Sequence, residues 1–246
     1  MVARKKRPAR TKATPRKKAP AKKPAAGGAG SANGKAQKTL FIPPLEMGVM
    51  KLRLVGDSAL LVNNKAAVVE ELAERYGPEG GAGKTIKRNK RSYDEQFLGS
   101  FYVTSDTKYA PPHPKATYGI PTTGVKKCAV SAIRQTGITS TSDIGLISRA
   151  FFIPSGPDGL TPIKFKQIKR DIGVVSEGQQ KKVPAYRHRG AFYGWSCDIT
   201  IKYNAKILSP EQIVNLFMHA GVYIGLCERR AEKKIGDYGG FYVEAI

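Results

Sequence analysis

The chain has 246 residues, enough for one domain with an ordinary core or for two small ones, and carries 42 Lys and Arg against 19 Asp and Glu, a formal charge of +23. It holds no run of about 18 apolar residues and no apolar N-terminal core, which excludes a spanning helix and a secretory signal and sets the expectation of an intracellular protein with no membrane partner. Cys128, Cys197 and Cys227 lie far apart without a C-x-x-C, and His113, His188 and His219 show no zinc spacing. The expectation is buried cysteines, no disulfide scaffold, no metal and no cofactor.

The charge is unevenly spread. Residues 1–38 hold 13 basic and no acidic residues, leaving 29 basic residues against all 19 acidic ones for 39–246. Residues 1–34 consist largely of Lys, Arg, Pro, Ala, Thr and Gly and have almost nothing apolar to bury, so a disordered basic tail facing a polyanion is expected, followed by one domain at 39–246.

From Val49 the pattern changes. Met50, Leu52 and Leu54 alternate with Lys51 and Arg53, the signature of a half-buried strand that Gly56-Asp57 ends. Leu60-Leu61-Val62 follows, then an amphipathic helix at about 65–76 closed by Gly77-Pro78. Gly83-Lys84-Thr85 matches the end of a phosphate-binding loop, but the first glycine of that motif is replaced by Pro78, which has no N–H to offer a phosphate. The segment reads instead as a basic loop at about 77–95 with Lys84, Lys87, Arg88, Lys90 and Arg91 as nucleic-acid contacts.

Residues 97–103 read as a strand. Val125, Cys128, Ala129, Ala132 and Ile133 form a helical stripe, with Thr122 or Thr123 as its cap and Gly137 at its end; Lys126 and Arg134 lie on the other face. A second basic loop is expected at about 155–190, two strands joined by a hairpin, in which Arg187, His188 and Arg189 meet nucleic acid. Trp195, Cys197, Ile199, Ile201 and Tyr203 then alternate with polar residues in a long strand. Ser209-Pro210-Glu211-Gln212 is a capping box opening a helix with Ile213, Leu216, Phe217 and Ala220 on one stripe, and Phe241-Tyr242-Val243 is the last strand. Strand, helix, strand is half of a ferredoxin-like fold. The expected class is therefore α+β, an antiparallel sheet with helices on one face and the other face free to hold a single strand.

Gly56-Asp57-Ser58-Ala59-Leu60-Leu61-Val62, Ile120-Pro121-Thr122-Thr123-Gly124-Val125-Lys126, and the C-terminal helix with Gly225, Gly236, Gly239 and Gly240 before Phe241 together carry a further signal. These segments resemble the RAMP superfamily, the ferredoxin-fold RNA-binding subunits that form the backbone of CRISPR effector complexes. The layout is also similar to that of phage-encoded proteins with a basic loop before an aspartate-containing segment. The resemblance implies RNA contacts at Lys126 and at Gly225, Gly236, Gly239 and Gly240, and copies assembling along the strand. The arginine that ends the superfamily's helix-entry motif is Val130 here, with Arg134 one turn later.

The expected function is non-catalytic binding of single-stranded RNA or DNA by backbone contacts and base stacking, with Phe101, Tyr102, Phe241 and Tyr242 as candidate stacking residues. The alternative is a phage structural or assembly protein whose tail neutralises nucleic acid. Because the tail has no apolar periodicity, deleting residues 1–38 is expected to leave the circular dichroism and the thermal transition of the remainder within about 0.5 kcal/mol of the full chain.

Overall fold

In chain order the elements are β1 (Met47–Gly56), β2 (Leu60–Val62), α1 (Tyr93–Leu98), β3 (Tyr118–Pro121), α2 (Thr122–Ala132), α3 (Thr141–Ala150), β4 (Phe151–Phe152), β5 (Leu160–Ile163), β6 (Gln167–Glu177), β7 (Val183–Tyr193), β8 (Ser196–Asn204), α4 (Pro210–His219) and β9 (Phe241–Ala245). This computed structural model describes residues 44–64, 92–177, 183–233 and 236–246. The tail, the helix expected at 65–76, and Lys84, Lys87, Arg88, Lys90 and Arg91 lie outside the described residues. The architecture is mixed α+β with antiparallel sheets: a four-stranded sheet in the order β4-β8-β1-β9, a three-stranded sheet β2-β7-β6, and the pair β3-β5. Among the described residues no helix is long and apolar enough to cross a membrane.

The alternation expected in β1 and β8 sets the core. Leu52 and Leu54 are fully buried opposite Ile199 and Cys197, and Ile201 and Tyr203 continue the inward row. Val125, Cys128, Ala129 and Ala132 of α2 and Ile213, Leu216 and Phe217 of α4 belong to the same apolar cluster. Each large side chain so buried contributes about 1.5–3 kcal/mol. The α4 cap forms as its sequence predicts: Gln212 N donates to Ser209 Oγ at 3.2 Å and Ser209 N to Gln212 Oε1 at 2.9 Å. The helix continues as a π turn over Ala220–Ile224.

Three expectations need correction. Residues 97–103 are not a strand: Ser92 and Glu95 form a capping box that starts α1, and the apolar run serves the core from the helix end and the loop after it, leaving one bridge between Val103 and Tyr118. Local capping outweighs the β propensity of Phe101-Tyr102-Val103. Neither Thr122 nor Thr123 caps α2, because Pro121 occupies the cap position and the Thr122 hydroxyl is engaged with Thr161 at 2.9 Å. The two strands expected within the basic segment at about 155–190 are present as the antiparallel pair β6 and β7, preceded by β5, and the tip at 178–182 lies outside the described residues. Finally, α3 at Thr141–Ala150 had no counterpart among the elements expected from sequence; Ser140 caps it, accepting from Asp143 N at 3.4 Å.

Two glycines in helical segments separate packing from propensity. A Cβ on Gly221 would overlap the Phe241 carbonyl oxygen, whereas one on Gly145, within α3, would meet nothing nearer than Arg149 Nη2 at 3.8 Å. Gly221→Ala is therefore expected to displace β9 and lower stability by about 2–3 kcal/mol. Gly145→Ala should raise it by up to about 1 kcal/mol, both read by urea denaturation.

Candidate nucleic-acid interface

Strand parity that buries Leu52 and Leu54 turns Val49, Lys51, Arg53 and Val55 outward, and the register sets Lys202, Thr200, Asp198 and Ser196 of β8 opposite them. Phe152 of β4 lies opposite Lys202, and Tyr242 and Glu244 of β9 lie opposite Val55 and Arg53. This face of the four-stranded sheet is open: Val49 is 60% exposed, Phe152 44% and Tyr242 39%.

Its electrostatics are organised around one carboxylate. Arg53 donates to Asp198 from Nε at 2.6 Å and from Nη2 at 3.1 Å, and Lys164 Nζ donates to the same group at 3.2 Å. The Arg53 hydrogen bond, aided by Lys164 and working against partial burial, holds the Asp198 carboxyl below the ordinary range. The cations therefore outnumber the charge they surround. Lys202 Nζ lies 5.9 Å above the Phe152 ring, and beyond the end of β8 Lys169 Nζ lies 5.0 Å from the Tyr193 ring centre. Exposed cations beside exposed rings can neutralise phosphates and stack bases.

The site residues expected from sequence do not converge on one surface. Lys126 is half-buried with Nζ 5.4 Å from the Phe151 ring centre, and Arg134 is exposed beside a cleft of about 330 Å³ shared with Val130, Ile144 and Glu232. His188 and Arg189 point to opposite faces of β7. His188 is buried and stacked under Tyr93 at 4.4 Å. Arg189 is 2% exposed and donates to Asp171 Oδ2 at 2.7 Å and to Glu228 Oε2 at 2.8 Å. A guanidinium so enclosed is a structural ion and is not available to a phosphate; Arg187 is half-buried and adds its charge near Glu228. Of the candidate stacking residues, Phe101 and Phe241 are in the core, and Tyr102 is half-buried with its hydroxyl donating to Asn63 O at 3.1 Å. Tyr242 alone among them is on the open face.

The loop glycines also work inward. Gly225 N donates to Ala220 O at 2.8 Å, Gly239 N to Ala59 O at 2.9 Å and Gly240 N to Ser58 Oγ at 3.0 Å, so these amides are used within the fold. A Cβ on Gly236 would overlap the Arg229 carbonyl, and one on Gly239, at φ 70°, that of Leu226. The same loop holds Cys227 and Arg229 at φ 61° and 52°, a left-handed geometry costing about 1–3 kcal/mol each, on either side of Glu228. That geometry places Glu228 where Asn63 Nδ2 donates to Oε1 at 2.7 Å and Arg189 reaches Oε2.

The sequence places candidate contacts on basic loops and does not single out Lys51, Arg53, Lys164, Lys202 and Phe152, which the fold brings to the open face or its edge. The signal for Lys51, Arg53 and Lys202 was present, as the polar half of two alternating strands. No known family model matches the chain, and a search of curated proteins gives no match.

Burial pushes the Glu228 carboxyl up, but the hydrogen bonds from Asn63 and Arg189 and the charges of Arg189 and Arg187 outweigh it and leave the group below its ordinary value. Its contribution to stability is thus complete above the unfolded value of about 4.3 and is lost as the pH falls through the lower folded value. Glu228→Gln should flatten this acid limb in urea titrations. Arg189→Met, which strands two partly buried carboxylates, should cost about 3–5 kcal/mol at pH 7.

Proposed function

We propose that the chain is a non-catalytic protein that binds single-stranded nucleic acid, RNA foremost, across the open face of a ferredoxin-like sheet. The fold reading rests on connectivity. β1, α2, β4, β8, α4 and β9 run strand, helix, strand, strand, helix, strand, with the strands side by side as β9-β1-β8-β4. In this reading α1, α3 and the β2, β3, β5, β6 and β7 strands are additions to that frame. The resemblance to the RAMP superfamily points the same way.

The observation that carries the function is the open face itself, where Phe152 and Tyr242 are exposed among Lys51, Lys164 and Lys202. Lysines supply most of the affinity through phosphates, and each stacked base adds about 1–3 kcal/mol. The negative charge of Glu244, opposite Arg53, keeps phosphates toward the lysine-lined rim. A non-catalytic role fits the burial of His188, the one histidine flanked by arginines, beneath Tyr93.

The test is fluorescence anisotropy of the full chain with a labelled 20-nucleotide oligouridylate over a range of KCl. Replacing Lys51, Lys164 and Lys202 by Gln should reduce the log–log salt slope by about 0.7 for each phosphate that is no longer neutralised, and Glu244→Gln should tighten binding. A slope unchanged in the triple variant would assign binding to the tail and favour the assembly protein that neutralises nucleic acid without a platform. A duplex outcompeting the single strand would overturn the reading.

A further inference from the structure

The two exposed rings of the open face stand at opposite corners of the sheet. Phe152 shares a row with Lys202 and Val49, and Tyr242 shares a row with Val55 and Ser196. The rows are separated by the six residues from Val49 to Val55, about 20 Å along the strands, and the rings by three strand spacings, about 14 Å across them. The diagonal is therefore about 25 Å. Between the corners the face carries Lys51, Thr200 and the Arg53–Asp198 pair and, among the described residues of these four strands, no further aromatic ring.

We infer that the face is a two-station platform that requires a strand of about five nucleotides, its end bases stacked on Phe152 and Tyr242 and its middle held only through the backbone. The inference rests on the reading of this face as the binding surface. A stacked strand advances about 3.4 Å per nucleotide and an extended one about twice that, so four extended steps span the diagonal. A shorter oligomer reaches one ring and leaves the other unused. The middle of the strand meets an arginine already held by Asp198 in two hydrogen bonds, which leaves little to read a base there. Occupancy of the two ends is thus set by ring chemistry and occupancy of the middle by charge.

The experiment is a length series of oligothymidylates, from three to ten nucleotides, titrated against the full chain at low salt, with pentamers carrying an abasic position at the first, third or fifth nucleotide. The expected result is a step in affinity near five nucleotides. An abasic end should cost roughly five- to a hundredfold, whereas an abasic centre should cost little. Phe152→Ala and Tyr242→Ala should each remove the step, and Phe152→Tyr and Tyr242→Phe should keep it. Both positions are substantially exposed, so the core is not at stake. Affinity that climbs smoothly with length and ignores abasic positions would overturn the two-station inference and leave the binding reading standing. No binding to any oligomer at low salt would sink both.

Discussion

Everything on the open face depends on the register of one strand. β1 lies between β8 and β9, and a shift of one residue would turn its lysine and arginine into the core and its leucines to solvent. Two large rings hold that register. A Cβ on Gly48 would overlap the ring of Tyr203, and one on Gly56 would overlap the indole of Trp195. The inward row of β1 thus begins and ends in glycine because a ring lies over each end, with Leu52 and Leu54 between. Trp195 is fixed in turn by its indole N–H, which donates to Ser58 O at 2.7 Å. Sliding the strand in either direction would drive a side chain into one of these rings.

The second organising device is ionic. Arg189 lies between β7 and the loop after the π turn, and its two carboxylate partners come from β6 and from a segment held in left-handed backbone. Such an arrangement costs desolvation and adds little net stability, yet it is intolerant of losing one member. Its evident effect here is positional. Glu228 N donates to Leu61 O, so the same residue ties the loop to β2 and, through Arg189, to the hairpin. Together with the amides of Gly239 and Gly240 it fastens the C-terminal loop beneath the sheet and sets the direction from which β9 enters.

These two devices explain what was legible in the sequence. Period-two alternation in β1 and β8 and the Ser209–Gln212 box of α4 are local statements of local structure, and they hold in the fold. The Phe97 to Val103 run misled because core burial and strand membership leave the same trace in a short apolar stretch, and only the Ser92–Glu95 box told them apart. Arginine and glycine were harder still. Nothing local distinguishes Arg189, enclosed by residues 18 and 39 positions away, from an arginine facing a phosphate. Gly236 and Gly239 look the same whether a ligand backbone or the chain's own backbone approaches them. Sorting them requires the contacts themselves.

The Arg53–Asp198 bridge at the centre of the open face joins positions 145 residues apart. Its formation closes a loop containing most of the other elements, and contacts of such separation form late because the entropy of closure precedes any reward. Charge, by contrast, is present in the chain at every stage of folding. A chain that has not yet closed this loop carries its positive charge but lacks the sheet face on which Phe152 and Tyr242 stand at opposite corners with the Arg53–Asp198 pair between them. On the proposed reading, attraction comes before discrimination, because the face acquires its dimensions only when β1 pairs with β8.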